Sequence, residues 1–260
     1  MSTALTHTTL LTGRALRGLT RVPVFLAINL VQPVIWLLLF GALFRSVVEI
    51  PGFDRASGSF LEFLTPGVIM MMGLFGSAWA GTGYIQDMER GVMDRFLTAP
   101  TSRGAMMVAI LIYQAVTTVV QSLIVLGIAL LAGARFDGGL VGVLVLLLAA
   151  VLLVSIFAAL SNAIALLTRQ QEALIGISQL ITLPLTFLSS GIMDLSLAPD
   201  WVRGVAVYNP FEWAVIVGRQ ALLGSPDWPT IWGHLGLLTA LTVVMVALAT
   251  RAFRTYQRST

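Results

Sequence analysis

Charge is scarce in this chain, and the place where it gathers is the first clue to its chemistry. Residues 86–103, Q-D-M-E-R-G-V-M-D-R-F-L-T-A-P-T-S-R, hold Asp87, Glu89, Arg90, Asp94, Arg95 and Arg103, from a total of only 15 basic and 12 acidic residues. Such a cluster cannot rest in hydrocarbon, so it must lie on one membrane face between the apolar runs that flank it. At about 100° per residue, Met88, Val92, Phe96 and, at the edge, Leu97 share one side of a helix, while Arg90 and Asp94 form an i,i+4 pair on another. Asp87 is placed to cap the start of this short helix and Pro100 to stop it. The chemistry on offer is polar docking: a stiff amphipathic helix shown to an aqueous partner. An ordinary inter-span loop held at the headgroups is the competing reading.

Catalytic constellations are thin by comparison. The chain has two histidines, His7 and His234, and no cysteine, so disulfides, thiolate chemistry and cysteine-based metal sites are excluded, and no H-E-x-x-H is present. We therefore expect neither catalytic nor metal-ligating residues. Ser189 and Ser190 stand in L-S-S-G, without the G-x-S-x-G context of a nucleophile elbow. Every basic residue is arginine, so no lysine can reach the terminal phosphates from a Walker A loop, and ATP-driven activity would need a second polypeptide. The central portions of the apolar runs are nearly free of ionisable groups, which argues against coupling to an ion gradient within the membrane.

The elements that must position the charged stretch follow from composition. Hydrophobic residues make up 57% of the 260 positions and charged residues 10%, against roughly 25% charged in a soluble domain. The useful unit is thus the span of about 20 apolar residues. Residues 1–22 open the chain, with Arg14, Arg17 and Arg21 opposite Leu11, Leu16 and Leu19, the pattern of a helix lying flat in the interface. Six spans are expected, at 24–44, 60–85, 104–133, 140–167, 173–190 and 231–249. The first carries Asn29, Gln32 and Pro33, which predicts a kink with polar side chains nearby. In the second, Gly73, Ser77 and Gly81 form a small-residue stripe that admits close approach of another helix. Gln114, Thr117, Thr118 and Gln121 mark one face of the third, and Asn162 lies near the end of the fourth. These polar positions either join helices or line a path, with Asn29, Gln32, Gln114, Gln121 and Asn162 the path candidates. Residues 191–224 alternate amphipathic pieces with Pro199, Trp201, Pro210 and Trp213, and read as two short re-entrant or interfacial helices.

With six spans, ten arginines fall on the side of the termini and the charged stretch and five on the other. The positive-inside rule places that arginine-rich side, with both termini, in the cytoplasm.

With those residues laid out, the chain resembles the membrane subunits of ATP-binding-cassette exporters of the type-2 permease family, and among them the daunorubicin-resistance-type drug-efflux permeases. The resemblance runs over nearly the whole chain. It rests on Glu89, Arg90, Gly91, Asp94, Arg95, Pro100, Ser102 and Arg103 in the charged stretch and on Phe63, Leu64, Pro66 and Gly67 before the second span. Late in the chain it rests on F-L-S-S-G, Pro199, Trp201, Y-N-P-F-E-W-A with Asn209 and Pro210, and R-Q-A-L-L-G. Asp94 and Phe96 stand where the family often has glutamate and leucine, which preserves the charge class. The resemblance implies one all-α membrane permease domain over 1–260. Within it, residues 86–103 would be a coupling helix and 1–22 a connecting helix that touch a separate ATPase subunit, and 191–224 an extracellular re-entrant segment. On that reading Glu89, Arg90, Asp94 and Arg95 supply polar contacts, while Met88, Val92 and Phe96 anchor the helix. Asp87, Gly91, Pro100 and Arg103 complete the docking set.

The partners implied are a nucleotide-binding ATPase subunit carrying ATP and magnesium, a second permease subunit (a homodimer before a heterodimer) and the lipid bilayer of a bacterial cell membrane. Nucleic acid is not among them, and this chain itself would hold no cofactor. The cargo implied is amphipathic: a drug, a lipid or a polyketide-like molecule. An intramembrane enzyme acting on lipid or peptide, with Asp194, Glu212 and His234 as its site, and a passive channel are the readings from other classes.

Overall fold

The computed structural model describes residues 23–43, 59–90 and 103–258, with side chains at 30–43, 59–90 and 108–252. The predicted interfacial helix at 1–22 lies outside the described residues. Among those described, the regular structure is entirely helical: α1 Pro23–Leu43, α2 Phe60–Ala78, α3 Thr82–Glu89, α4 Arg103–Leu131, α5 Gly139–Thr168, α6 Gln171–Phe187, α7 Asp200–Ala206, α8 Pro210–Leu222 and α9 Trp228–Arg258, with a 3-10 turn at Leu195–Leu197. The long helices occur in the order in which apolar runs were expected. Four segments (60–89, 108–131, 139–168 and 228–252) are long and apolar enough to cross a membrane, and Leu30–Leu43 is a shorter apolar helix. Their outward surfaces are apolar as well. Val116, Val120, Leu144, Leu148, Leu180, Val243 and Leu248 are all exposed, as side chains facing acyl chains should be.

The bundle is built around α5, which packs against α2, α4, α8 and α9, while α1 lies against α2 and α4. Leu146, Leu153 and Ile156 of α5 share one core with Phe63, Ile69 and Leu74 of α2 and Phe211 and Val215 of α8. Each end of the bundle collects its own set of turns. At one end, Tyr84 and Ile85 of α3 are buried against Ala165 and Leu166 of α5 and Leu174 of α6, with Ile110 of α4 alongside. At the other lie the start of α2, the turn between α4 and α5, and the short helices α7 and α8.

The start of α2 explains how that second end holds together. Ser59 accepts a hydrogen bond from the Glu62 amide at 3.3 Å, and Glu62 accepts one from the Ser59 amide at 3.1 Å, so S-x-x-E closes as a capping box. The second Glu62 oxygen accepts from the Arg135 amide at 2.8 Å, which ties the start of α2 to the α4–α5 turn.

Two helix contacts require glycine. A Cβ on Gly67 of α2 would stand 1.9 Å from the Gly191 carbonyl oxygen, and one on Gly142 of α5 would stand 2.1 Å from the Ala221 carbonyl oxygen. Backbone rather than flexible side chain fills both places, so neither helix can yield locally. The expected stripe in α2 is used within the chain: Gly73 faces Val154, and Gly81 faces the Ser161 carbonyl and Ala165, all on α5.

Gly67→Ala and Gly142→Ala should each destabilise the protein by about 1–3 kcal/mol or more. Gly76→Ala, whose Cβ meets nothing within 4 Å, should be neutral or slightly stabilising. Thermal unfolding of the three variants in one detergent separates them; equal midpoints would refute the close approach.

Candidate functional site

The charged segment emerges from a break in a long helix. α2 ends at Ala78, residues 79–81 turn, and α3 resumes for eight residues. This corrects two expectations. The second span is interrupted rather than continuous to residue 85, and Asp87 falls inside the helix that follows, Thr82–Glu89, while residues 91–102 of the expected charged helix lie outside the described residues. Asp87 therefore lies in the last turn of α3 and does not cap it; the N-cap is Gly81, which has no side chain to offer.

The break releases main-chain groups from the helical ladder, and in an apolar surround they need other partners. Ser161 of α5 supplies most of them: its hydroxyl donates to the Ala78 carbonyl at 2.6 Å and accepts from the Gly81 amide at 3.0 Å. Ser178 of α6 donates to the same carbonyl at 2.9 Å. Each such bond contributes about 0.5–1.5 kcal/mol net, and a buried group left unpaired costs about 1–3 kcal/mol. Sequence reasoning missed both serines. The only signal was a small hydroxyl within a predicted span.

Of the predicted docking residues, Met88 packs half-buried on the Tyr84–Leu174 cluster. Asp87 is half-buried, and Glu89 and Arg90 are exposed at the end of the helix. Gly91, Val92, Asp94, Arg95, Phe96 and Pro100 lie outside the described residues, and Arg103 opens α4 without a described side chain. The apolar side of α3 is thus fixed to α5 and α6, and its charged end faces outward.

The opposite end carries a buried polar cluster within the segment that was read from sequence as two re-entrant or interfacial helices. Glu212, 4% exposed, accepts from the Ser190 amide at 2.5 Å and from the Ser190 hydroxyl at 2.8 Å. Arg219, two turns further along α8, donates to the Ser190 hydroxyl at 3.1 Å and the Ser190 carbonyl at 2.8 Å. Its guanidinium also sits 3.7 Å over the Phe63 ring of α2, a cation–π contact. Asn209 caps α8 through the Phe211 amide at 2.9 Å, and its amide group donates to the carbonyls of Leu185 and Leu188 at 2.7 and 2.9 Å. Together these bonds close the end of α6 onto α8. By contrast α7 is exposed at Trp201 and carries the Asp200–Arg203 ion pair on its surface.

The path candidates do not share one surface. Gln32 is exposed on α1, on the same surface as Val31 and Ile35. Gln114 is half-buried, whereas Gln121 and Asn162 are 9% and 0% exposed inside the bundle. Asn29 lies in α1 without a described side chain. The residues of the enzymatic alternative are each engaged locally. Asp194 caps the Ser196 amide at 2.8 Å, His234 Nδ1 lies 2.8 Å from the Thr230 carbonyl of its own helix, and Glu212 is held by Ser190. Among the described residues no group of three histidines, cysteines or carboxylates stands close enough to hold a metal.

Comparison with known proteins adds an independent line. The family model described as ABC-2 type transporter matches residues 6–223. The daunorubicin resistance ABC transporter permease protein DrrB1 of Streptomyces coeruleorubidus is 28% identical over 258 residues, covering 98% of this chain and 87% of the relative. The probable doxorubicin resistance ABC transporter permease protein DrrC of Mycobacterium tuberculosis is 23% identical over 92% of this chain and 84% of its own length. The putative transport permease ycf38 of Cyanophora paradoxa is 27% identical over 76% and 67%.

Glu212→Ala should cost about 3 kcal/mol of stability and Ser190→Ala about 1–3 kcal/mol, because each leaves a buried polar partner unpaired. The double variant should cost less than the sum, by about 0.5–3 kcal/mol. A double-mutant cycle in mixed micelles measures this, and strict additivity would show that the two side chains do not interact.

Proposed function

Since the chain belongs to the ABC-2 type transporter family, we propose that it is the membrane permease subunit of an ATP-driven exporter whose ATP is hydrolysed by a separate nucleotide-binding subunit. The observation that carries this reading is the family match over residues 6–223, which includes the whole charged segment. The absence of lysine from these 260 residues agrees with it, because they then hold no Walker A loop of their own.

In this reading six helices cross the membrane: α1, α2 with α3, α4, α5, α6 and α9. Both termini and residues 86–103 face the cytoplasm, as the arginine asymmetry requires. The membrane is the bacterial plasma membrane, and residues 191–224 return on the outer side. Two permease subunits, identical copies in the simplest assembly, enclose the path between them. Closure of the ATPase pair on ATP pushes the charged segments. Glu89, Arg90, Asp94 and Arg95 make the polar contacts, and the apolar side of the segment holds it to the bundle. The permease pair then opens outward and releases an amphipathic cargo. The names of the relatives from Streptomyces and Mycobacterium point to daunorubicin and doxorubicin as the first compounds to try.

The test is purification of the tagged full chain from its native membranes in mild detergent, with mass spectrometry of what accompanies it. A stoichiometric soluble protein with a Walker A motif is expected. Glu89→Ala and Gly91→Pro should leave membrane insertion intact and abolish ATP-driven transport, the proline by breaking the segment. A chain that purifies with no ATPase, or variants that transport normally, would overturn the assignment.

A further inference from the structure

We propose that Ser161 and Ser178 are positioning residues that form the mechanical joint between the charged segment and the rest of the bundle. This rests on the coupling reading above, and goes beyond it by naming the contacts through which a push leaves α3. An interrupted helix has two extreme behaviours. Left unbridged, residues 79–81 would act as a loose hinge, and α3 would swing without moving α2. Bridged, they pass the displacement to whatever holds the bridge.

The geometry is of the bridged kind, and the bridge is anchored away from α2. Ser161 on α5 spans the break, donating to the Ala78 carbonyl and accepting from the Gly81 amide. Ser178 on α6 takes the same carbonyl from a second side. Gly81 lies so close to α5 that a Cβ there would stand 2.5 Å from the Ser161 carbonyl oxygen and 2.8 Å from Ala165 Cβ. Below the break, Tyr84 and Ile85 pack on the same two helices, α5 and α6. A void of about 10 Å³ beside the bridge, bordered by Ala78, Ser161, Ser178 and Thr182, has room for about one water, so the packed contacts leave little room for solvent to replace these bonds. Displacing α3 must therefore move α5 and α6 with it.

The absence of cysteine from the chain allows a direct test. An environment-sensitive bimane fluorophore is attached at Gln86→Cys, on α3, or at Leu180→Cys, 75% exposed on α6. Spectra are taken for the complete assembly in lipid nanodiscs, without nucleotide and with ATP and vanadate. In the otherwise unaltered chain both positions should respond to ATP. In Ser161→Ala/Ser178→Ala the Gln86 response should persist and the Leu180 response should be lost. Ser178→Ala alone, which keeps the Ser161 bridge and is the milder change, should weaken the Leu180 response, and Ser178→Thr, which keeps the hydroxyl, should retain it. A silent Gln86 position in the unaltered chain would overturn the coupling reading and the joint with it. A Leu180 position that is silent in the unaltered chain, or that responds equally in all variants, would overturn the joint alone. Loss of both responses in the double variant would also overturn it, because the serines would then serve only to hold the fold.

Discussion

Everything in this molecule depends on satisfying main-chain polar groups wherever a helix stops inside an apolar surround. A continuous helix meets that demand by itself, and a break does not. At 79–81 the freed carbonyl and amide are taken up by Ser161 and Ser178. At the end of α6, Asn209 reaches the Leu185 and Leu188 carbonyls, and Glu212 and Arg219 together take the amide and carbonyl of Ser190. At the α4–α5 turn, which is exposed, Glu62 likewise receives the Arg135 amide. In each case a polar side chain from a distant part of the sequence supplies the missing bond, so the breaks are also the places where helices are locked together.

Close approach of backbones makes those bonds possible. A hydroxyl on so short a side chain spans two helices only if the helices nearly touch, and the small residues of α2, α5 and α8 provide that contact. Gly67, Gly81 and Gly142 each place a carbonyl of another segment where a side chain would otherwise be. Packing and polar bonding are therefore one design: removing the small residue would separate the groups that must bond.

Much of this was legible in the sequence. Apolar run length predicts α1, α4, α5 and α6 to within a few residues, whereas α2 stops well short of the expected 85 and α9 runs well past the expected 249; the proline–aromatic pattern after residue 191 predicts two short helices. What the sequence could not give is pairing. Nothing in Ser161 or Ser178 says which carbonyl each will meet, because their partners lie 83 and 100 residues away. The segment 191–224 was read as re-entrant or interfacial, which suits Asp200 and Arg203. Glu212 and Arg219 obey the opposite rule, since a local pattern carries no information about Ser190 and Phe63 being close enough to receive them. The start of α3 was misread for a related reason. Asp87 looks like a cap only if the hydroxyl that serves Gly81 from another helix is unknown.

The long reach of these bonds has a consequence for how the chain is made. The Ala78 carbonyl is bonded by a residue 100 positions later, and Glu62 receives an amide 73 positions later. A ribosome that has just released α2 into the bilayer has not yet synthesised either partner. Until α5 and α6 arrive, the groups at 78–81 must stay in an unbroken helical ladder or bond to water or headgroups. The broken form of α2 and α3 is thus a late product of biogenesis, bridged when α5 brings Ser161 and completed when α6 adds Ser178. A chain arrested before Ser161 would sit in the membrane without the bridge of the finished protein.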